Sequence, residues 1–251
     1  MQNLSKPIQL IFTVAMFGTL SLSQSMANPI TANVIGPKVG EKGQSGTEYR
    51  SGYEWDDDNK SQDDAFTDRV DLFYNVSDEI ELRTFVNRVN PGNDDSDISN
   101  VFVEPKFQIF NRQENGFDGA ILSGVSIGVQ DNQPNLARII FAGEVPYHGW
   151  ALRHNSIIAH EFGGNQISGV QYQARWRATY KLKAGPSVGV EMFNDFGNLR
   201  TTNGFDSQQH RAGPVMTGKI TDGLGFQTGF LAGLSDRAPD YAAKFWLDYR
   251  F

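Results

Sequence analysis

The chain closes on Tyr241-Ala242-Ala243-Lys244-Phe245-Trp246-Leu247-Asp248-Tyr249-Arg250-Phe251. One parity carries Tyr241, Ala243, Phe245, Leu247, Tyr249 and Phe251; the other carries Ala242, Lys244, Trp246, Asp248 and Arg250. Strand side chains alternate between two faces, so a period of two describes a strand whose faces meet different solvents. The stretch is also long enough to cross a membrane at a tilt, which takes ~9–11 residues.

The whole chain has 251 residues, 26 Gly, no Cys and a formal charge of −7. That length suits one or two soluble domains or one medium barrel. No internal stretch approaches the ~20 apolar residues of a membrane helix. At the start, a short polar segment with Lys6 precedes the mostly apolar Ile8–Leu22, and Ser25-Met26-Ala27 offers small residues at a cleavage site. Residues 1–27 therefore read as a secretory signal peptide; a membrane anchor would need a longer apolar run. With no Cys, lipoprotein processing and disulfide support are both excluded. Residues 28–45 are rich in Gly, Pro and polar side chains without periodicity, and read as a flexible N-terminal arm. The arm could plug a lumen or hang in the periplasm.

From residue 46 onward, alternating segments separated by turn residues run to the end. Twelve strands are expected, near 46–55, 65–76, 79–89, 101–110, 117–130, 136–144, 150–161, 169–181, 187–196, 210–220, 224–234 and 241–251. The parity is cleanest at 169–181, where Val170, Tyr172, Ala174, Trp176, Ala178 and Tyr180 oppose Gln171, Gln173, Arg175, Arg177, Thr179 and Lys181. Asp68 breaks the apolar parity of its strand. Alternation alone leaves two architectures open: a soluble sandwich burying its apolar faces, or a membrane barrel turning them to lipid.

The terminal strand resembles the C-terminal strand of bacterial outer-membrane β-barrels, whose final Phe is read by the barrel-assembly machinery. The runs Glu191-Met192-Phe193-Asn194-Asp195-Phe196-Gly197, His210-Arg211-Ala212-Gly213-Pro214 and Gly233-Leu234-Ser235-Asp236-Arg237-Ala238-Pro239-Asp240 are similar to those of uncharacterised proteobacterial outer-membrane proteins. The resemblance implies an all-β, antiparallel up-and-down transmembrane barrel spanning residues 46–251, located in the bacterial outer membrane. It also implies contact with outer-membrane lipid and lipopolysaccharide and a periplasmic C-terminus. Counting back from Phe251 puts 56–64, 91–100, 131–135, 162–168, 197–209 and 235–240 outside, and these are on average longer and more polar than the periplasmic connections. Aromatic residues of the apolar parity then fall near both strand ends, as two interfacial girdles. Hydrocarbon offers no partner to a free strand edge, so 46–55 must pair with 241–251.

With the apolar faces outward, the expected pore lining is Arg69, Arg83, Lys106, Arg138, Arg175, Arg177, Arg211, Lys219, Lys244 and Arg250, with Arg153 and Lys181 on the same parity. Asp71, Glu81, Glu104, Asp118, Glu144, Glu161, Glu191 and Asp248 share that interior, so bases are expected to exceed acids there. A water-filled basic lumen favours small polar, preferentially anionic solutes, as in a porin. The expected strand number and lumen sign are similar to those of twelve-stranded outer-membrane channels for acidic sugars. The alternative is a cross-lumen ion-pair network that seals a narrow, structural or adhesive barrel. Gly225, Gly229 and Gly233 share the inward parity and could let strands bend or a plug approach.

For chemistry, His154 and Ser156 sit two apart on one face, as a general base and a nucleophile would. Outer-membrane lipid hydrolases carry such a pair on their lipid-facing wall. Here the expected neighbours across the next strand, Ala174 and Trp176, cannot orient the His. A bulge turning both residues inward would remove the pair from lipid. His148, His160 and His210 are isolated, and no His/Cys/carboxylate spacing fits a zinc site. The sequence thus points to no cofactor, no metal, no nucleic-acid partner and no catalytic residue.

Overall fold

Each of the twelve alternating stretches forms a strand in the computed structural model, which describes residues 31–56, 65–91, 97–129, 133–183, 185–201 and 204–251. The strands are Ser45–Trp55 (β1), Ala65–Asn75 (β2), Ile80–Pro91 (β3), Asp97–Phe110 (β4), Asp118–Gly128 (β5) and Asn135–Tyr147 (β6). They continue as Trp150–Phe162 (β7), Val170–Lys181 (β8), Ser187–Asn198 (β9), Gln209–Thr221 (β10), Leu224–Gly233 (β11) and Tyr241–Arg250 (β12). Neighbours in sequence pair antiparallel, and β1 pairs with β12 to close the barrel. The closing register runs from Gly46 opposite Arg250 to Trp55 opposite Tyr241. The signal-peptide stretch, 1–27, lies outside the described residues, as do most of the acidic loop residues at 57–64 and 92–96.

The apolar parity faces outward throughout. Val70, Leu72 and Tyr74 of β2, Trp176 and Tyr180 of β8, and Phe245 and Tyr249 of β12 are all exposed. Their polar alternates are buried, among them Arg69, Asp71, Arg175, Arg177 and Lys244. A closed wall with an apolar exterior and a charged interior suits a bilayer and no other solvent, so the barrel spans the outer membrane. Rings meet at both rims. Trp55, Phe230 and Tyr241 lie 5.7–5.8 Å apart at the outer end of the closing seam. Trp150 and Tyr180 lie 5.4 Å apart near the periplasmic end.

Local chemistry accounts for the details. Asp68, outward by parity, is buried and ion-paired with Arg88 of β3, which removes the expected cost of a bare carboxylate at the outer rim. The connection expected at 91–100 is shorter, because β3 runs to Pro91 and β4 begins at Asp97. Asn87 donates to the Asn100 side chain at 2.7 Å, so these polar residues extend the hairpin where their composition suggests a loop. The β4–β5 ladder has no partners for Glu104 and Pro105, since proline has no N–H to donate. His148 and Gly149 take φ of 45° and 84° in the two-residue turn between β6 and β7, which twists with the strands as such hairpins require. Arg112–Asn115 (α1) forms one helical turn in a periplasmic connection, capped by the Asn111 side chain.

Candidate functional site: a charged lumen that holds the chain's own arm

The inward residues meet as ion pairs. Arg50 contacts Glu48 at 2.7 Å and Asp71 at 3.3 Å; Arg69 also binds Asp71. Arg83 reaches Glu48, Asp71 and Glu81 at 3.4, 3.1 and 3.1 Å, and Lys106 reaches Glu81 at 3.1 Å. This network ties β1 to β4. On the far wall Glu191 holds both Arg177, at 3.0 Å, and Lys244. Arg211 of β10 binds Glu54 of β1 past two intervening strands. Arg138 pairs with Glu104 at 2.7 Å. Near the periplasmic mouth, Glu144 accepts from Arg153 at 2.8 Å and from Arg112 at 2.7 Å. The Asp118 carboxylate, hydrogen-bonded to Arg112, holds that periplasmic guanidinium above its ordinary value.

Of the expected lining, Arg69, Arg83, Lys106, Arg138, Arg175, Arg177, Arg211 and Lys244 lie inside the barrel. Lys219 and Arg250 lie exposed at the periplasmic ends of their strands. Arg175 differs from the rest. Among the described residues it has no carboxylate within ion-pair distance: it donates to Gln173 Oε1 at 2.9 Å and to the Asn33 carbonyl at 3.1 Å. The interior also takes Glu48, Arg50 and Glu54 of β1 and Asp195 of β9, which the sequence reading left out. Acids then come close to matching bases, so the expected excess over the whole lumen is corrected to a local one. The alternation Glu48, Arg50, Gly52, Glu54 carried that signal, masked by the small and polar residues on the opposite face of β1.

The N-terminal arm resolves the alternative left open by its composition: residues 31–37 run inside the barrel, and 38–44 lead out past its periplasmic end to β1. Val34 is fully buried against Phe193, Leu231 and Ala242. Ile35 packs on the cluster of Leu122, Ile140 and Ile157. The arm's backbone is held by lumen side chains. Arg50 donates to Thr31 O at 3.0 Å, Arg153 to Val34 O at 3.1 Å and Lys106 to Lys38 O at 2.9 Å. Arg177 donates to the Asn33 side chain at 2.8 Å. Asn155 grips Ile35 twice, accepting from its N–H at 2.6 Å and donating to its carbonyl at 2.9 Å. Gly36 passes so close to Arg153 that a Cβ there would lie 3.2 Å from Cζ. The backbone polar groups of a buried arm need partners, and the lumen supplies them. Gly225 and Gly229, by contrast, face the side chains of Asp248 and Lys244 on β12 and make room for those.

Beyond the arm, toward the outside, lies a cavity of about 110 Å³. Thr31, Ala32, Asn33 and Ile35 border it from the arm. Arg50, Arg69, Arg138 and Arg175 line it, with Glu161 the single carboxylate in its wall. Phe85 and Phe102 stack there with centroids 4.4 Å apart, and the Arg69 guanidinium lies 3.3 Å over the Phe85 ring.

His154 and Ser156 do face lipid. The pairing of β7 with both neighbours runs without a shift, so no bulge turns them inward. Their side chains are hydrogen-bonded at 2.8 Å, and the His ring lies over Trp176, centroids 3.8 Å apart. Gly143 and Trp176 flank His154, Ala174 flanks Ser156, and His154 Nδ1 is buried without a hydrogen-bond partner. A Ser–His pair needs an acceptor on that nitrogen to fix tautomer and orientation, and among the described residues no side chain supplies one. His210 is clamped between Asn194 and Gln208, at 2.9 Å each, and stacks on Phe205.

Fold and lumen together define a twelve-stranded outer-membrane barrel of the porin type. Residues 33–251 match the family described as "Putative MetA-pathway of phenol degradation", and the chain belongs to that family. Among solved structures it is similar to the COG4313 outer membrane channel from Pseudomonas putida F1, with a TM-score of 0.64 and 12% identity over 91% of this chain and 100% of that one. It is similar also to the KdgM porin in complex with disordered oligogalacturonate, with a TM-score of 0.59 and 13% identity over 82% and 99%. The NanC porin follows with a TM-score of 0.56 and 10% identity over 82% and 98%. At such identities the likeness is one of fold. No curated protein matches.

Proposed function

We propose that this barrel is an outer-membrane channel for passive diffusion of small polar solutes, with a preference for anions. The observation that carries the reading is the outer half of the lumen, where four guanidiniums and one carboxylate line the cavity. Fixed cations in a confined, low-dielectric path lower the barrier for an anion. Export by the signal peptide at 1–27 and recognition of Phe251 by the barrel-assembly machinery give the route to the membrane, where lipopolysaccharide surrounds the outer rim. In the described conformation the arm stands across the path, so conduction requires it to shift.

The second reading is a sealed structural barrel, favoured by the ion pairs that bind Arg83, Arg211 and Lys244. Planar-bilayer recording separates the two. A chain lacking residues 28–44 should conduct more than the full chain, with a reversal potential in a KCl gradient that reports chloride preference. Silence from both chains, or potassium preference, would sink the channel.

A further inference from the structure

Leu122, Ile140 and Ile157 on β5–β7, and Phe193, Leu231 and Ala242 on β9, β11 and β12, point inward yet are apolar. A water-filled lumen would take polar side chains at such positions. Each group instead receives one residue of the arm: Ile35 packs on the first and Val34 on the second. Adjacent residues thus reach different walls, as the alternating side chains of a peptide laid across the lumen would. Between the two groups the wall holds main chain. Arg50, Arg175, Arg153, Asn155 and Lys106 donate to the carbonyls of Thr31, Asn33, Val34, Ile35 and Lys38 at 2.9–3.1 Å. Asn155 Oδ1 and Gln108 Oε1 accept from the N–H groups of Ile35 and Val39 at 2.6 and 2.9 Å. Residues 32–40 form neither helix nor strand, so these wall contacts set their course. Such contacts ask for a peptide backbone and for no particular sequence. Sequence preference comes from the two apolar groups and from the narrow place at Gly36, where a Cβ would lie 3.2 Å from the Arg153 guanidinium carbon.

We propose that the barrel interior is a peptide-binding site that the arm fills in cis, and that takes, in the arm's place, a short free peptide with two adjacent β-branched aliphatic residues followed by glycine. Main-chain hydrogen bonds supply the affinity, and the two apolar groups supply the specificity. The site is built into the wall, so its peptide need not be attached to β1. Attachment gives the arm an effective concentration on the order of millimolar, against which a free peptide must compete. Binding requires no flux, so the site stands apart from the channel reading.

A site-specific protease sequence inserted after Lys42, which is exposed, lets the full chain fold before its arm is cut free. The fragment is washed out, and a fluorescent peptide of residues 31–40 is titrated by anisotropy. Heat-modifiable gel migration checks that the barrel persists in every sample. The peptide should bind the cut barrel, and bind the uncut chain at least about tenfold more weakly. A peptide that keeps only Asn-Val-Ile-Gly between alanines should bind within about tenfold of the arm peptide. The arm peptide carrying Val34→Asp and Ile35→Asp should lose at least about tenfold, because each carboxylate would be buried against apolar side chains. A cut barrel with Asn155→Ala should bind the arm peptide about tenfold or more weakly. No binding to the cut barrel, or equal binding by the uncut chain, would overturn the site. So would failure of the alanine-flanked peptide, or undiminished binding of the Asp peptide or by the Asn155→Ala barrel.

Discussion

A single carboxylate or guanidinium carries more consequence inside this barrel than on a soluble surface. Glu54 and Arg211 are 2% and 1% exposed, and each is the other's ion-pair partner. Removing one member of a buried pair leaves an uncompensated charge, which costs about 3–5 kcal/mol. Arg211→Ala should therefore lower the unfolding midpoint in guanidinium chloride, whereas Lys219→Ala, at the exposed periplasmic end, should not. Equal midpoints for the two variants would refute the burial argument. His154 illustrates the opposite lesson. Its pairing with Ser156 was legible from a spacing of two, and so were Ala174 and Trp176 as its neighbours. The unpartnered Nδ1 and the ring stacking needed coordinates.

Among the elements, the arm is the one whose place composition left open. Several lumen side chains hold it, and Asn155 is the one among the described residues whose amide satisfies both backbone groups of one arm residue, Ile35. Asn155→Ala leaves those two groups without partners in a buried site, a penalty of about 1–3 kcal/mol per group. The variant should open more often than the native chain in single-channel recordings, with the same fully open conductance. Unchanged open probability would show that Asn155 does not hold the arm. The strands behaved differently. The alternations expected near 65–76 and 241–251 became Ala65–Asn75 and Tyr241–Arg250, because each face met the solvent its residues demanded. The expected start near 101 was late because Asp97, Ser99 and Asn100 leave Ile98 as the single apolar residue of the segment, and only pairing with β3 and β5 draws it into the sheet.

For the molecule as a whole, closure converts a pattern into a field. Once β1 meets β12, every inward charge shares one confined space, and nearly every base finds an acid. Selectivity then rests on the small residue of charge in the outer cavity, and salt should weaken it. The Debye length falls from about 10 Å at 0.1 M to about 3 Å at 1 M. The chloride preference of the arm-deleted barrel should therefore shrink between those ionic strengths. A preference that grows with salt would point away from fixed guanidiniums.

The sequence by itself determined the strands, their inward and outward faces, the partner of the terminal strand and the two aromatic rims. A period of two records which solvent each side chain meets, and that record is local. Which charges neutralise one another, and where the arm lies, was decided only by the tertiary structure. Glu54 and Arg211 are 157 positions apart, and Asn155 is 120 from Ile35. No local pattern encodes such distances. They follow from the curvature that brings twelve strands around one lumen, and from the need of every buried polar group within it for a partner.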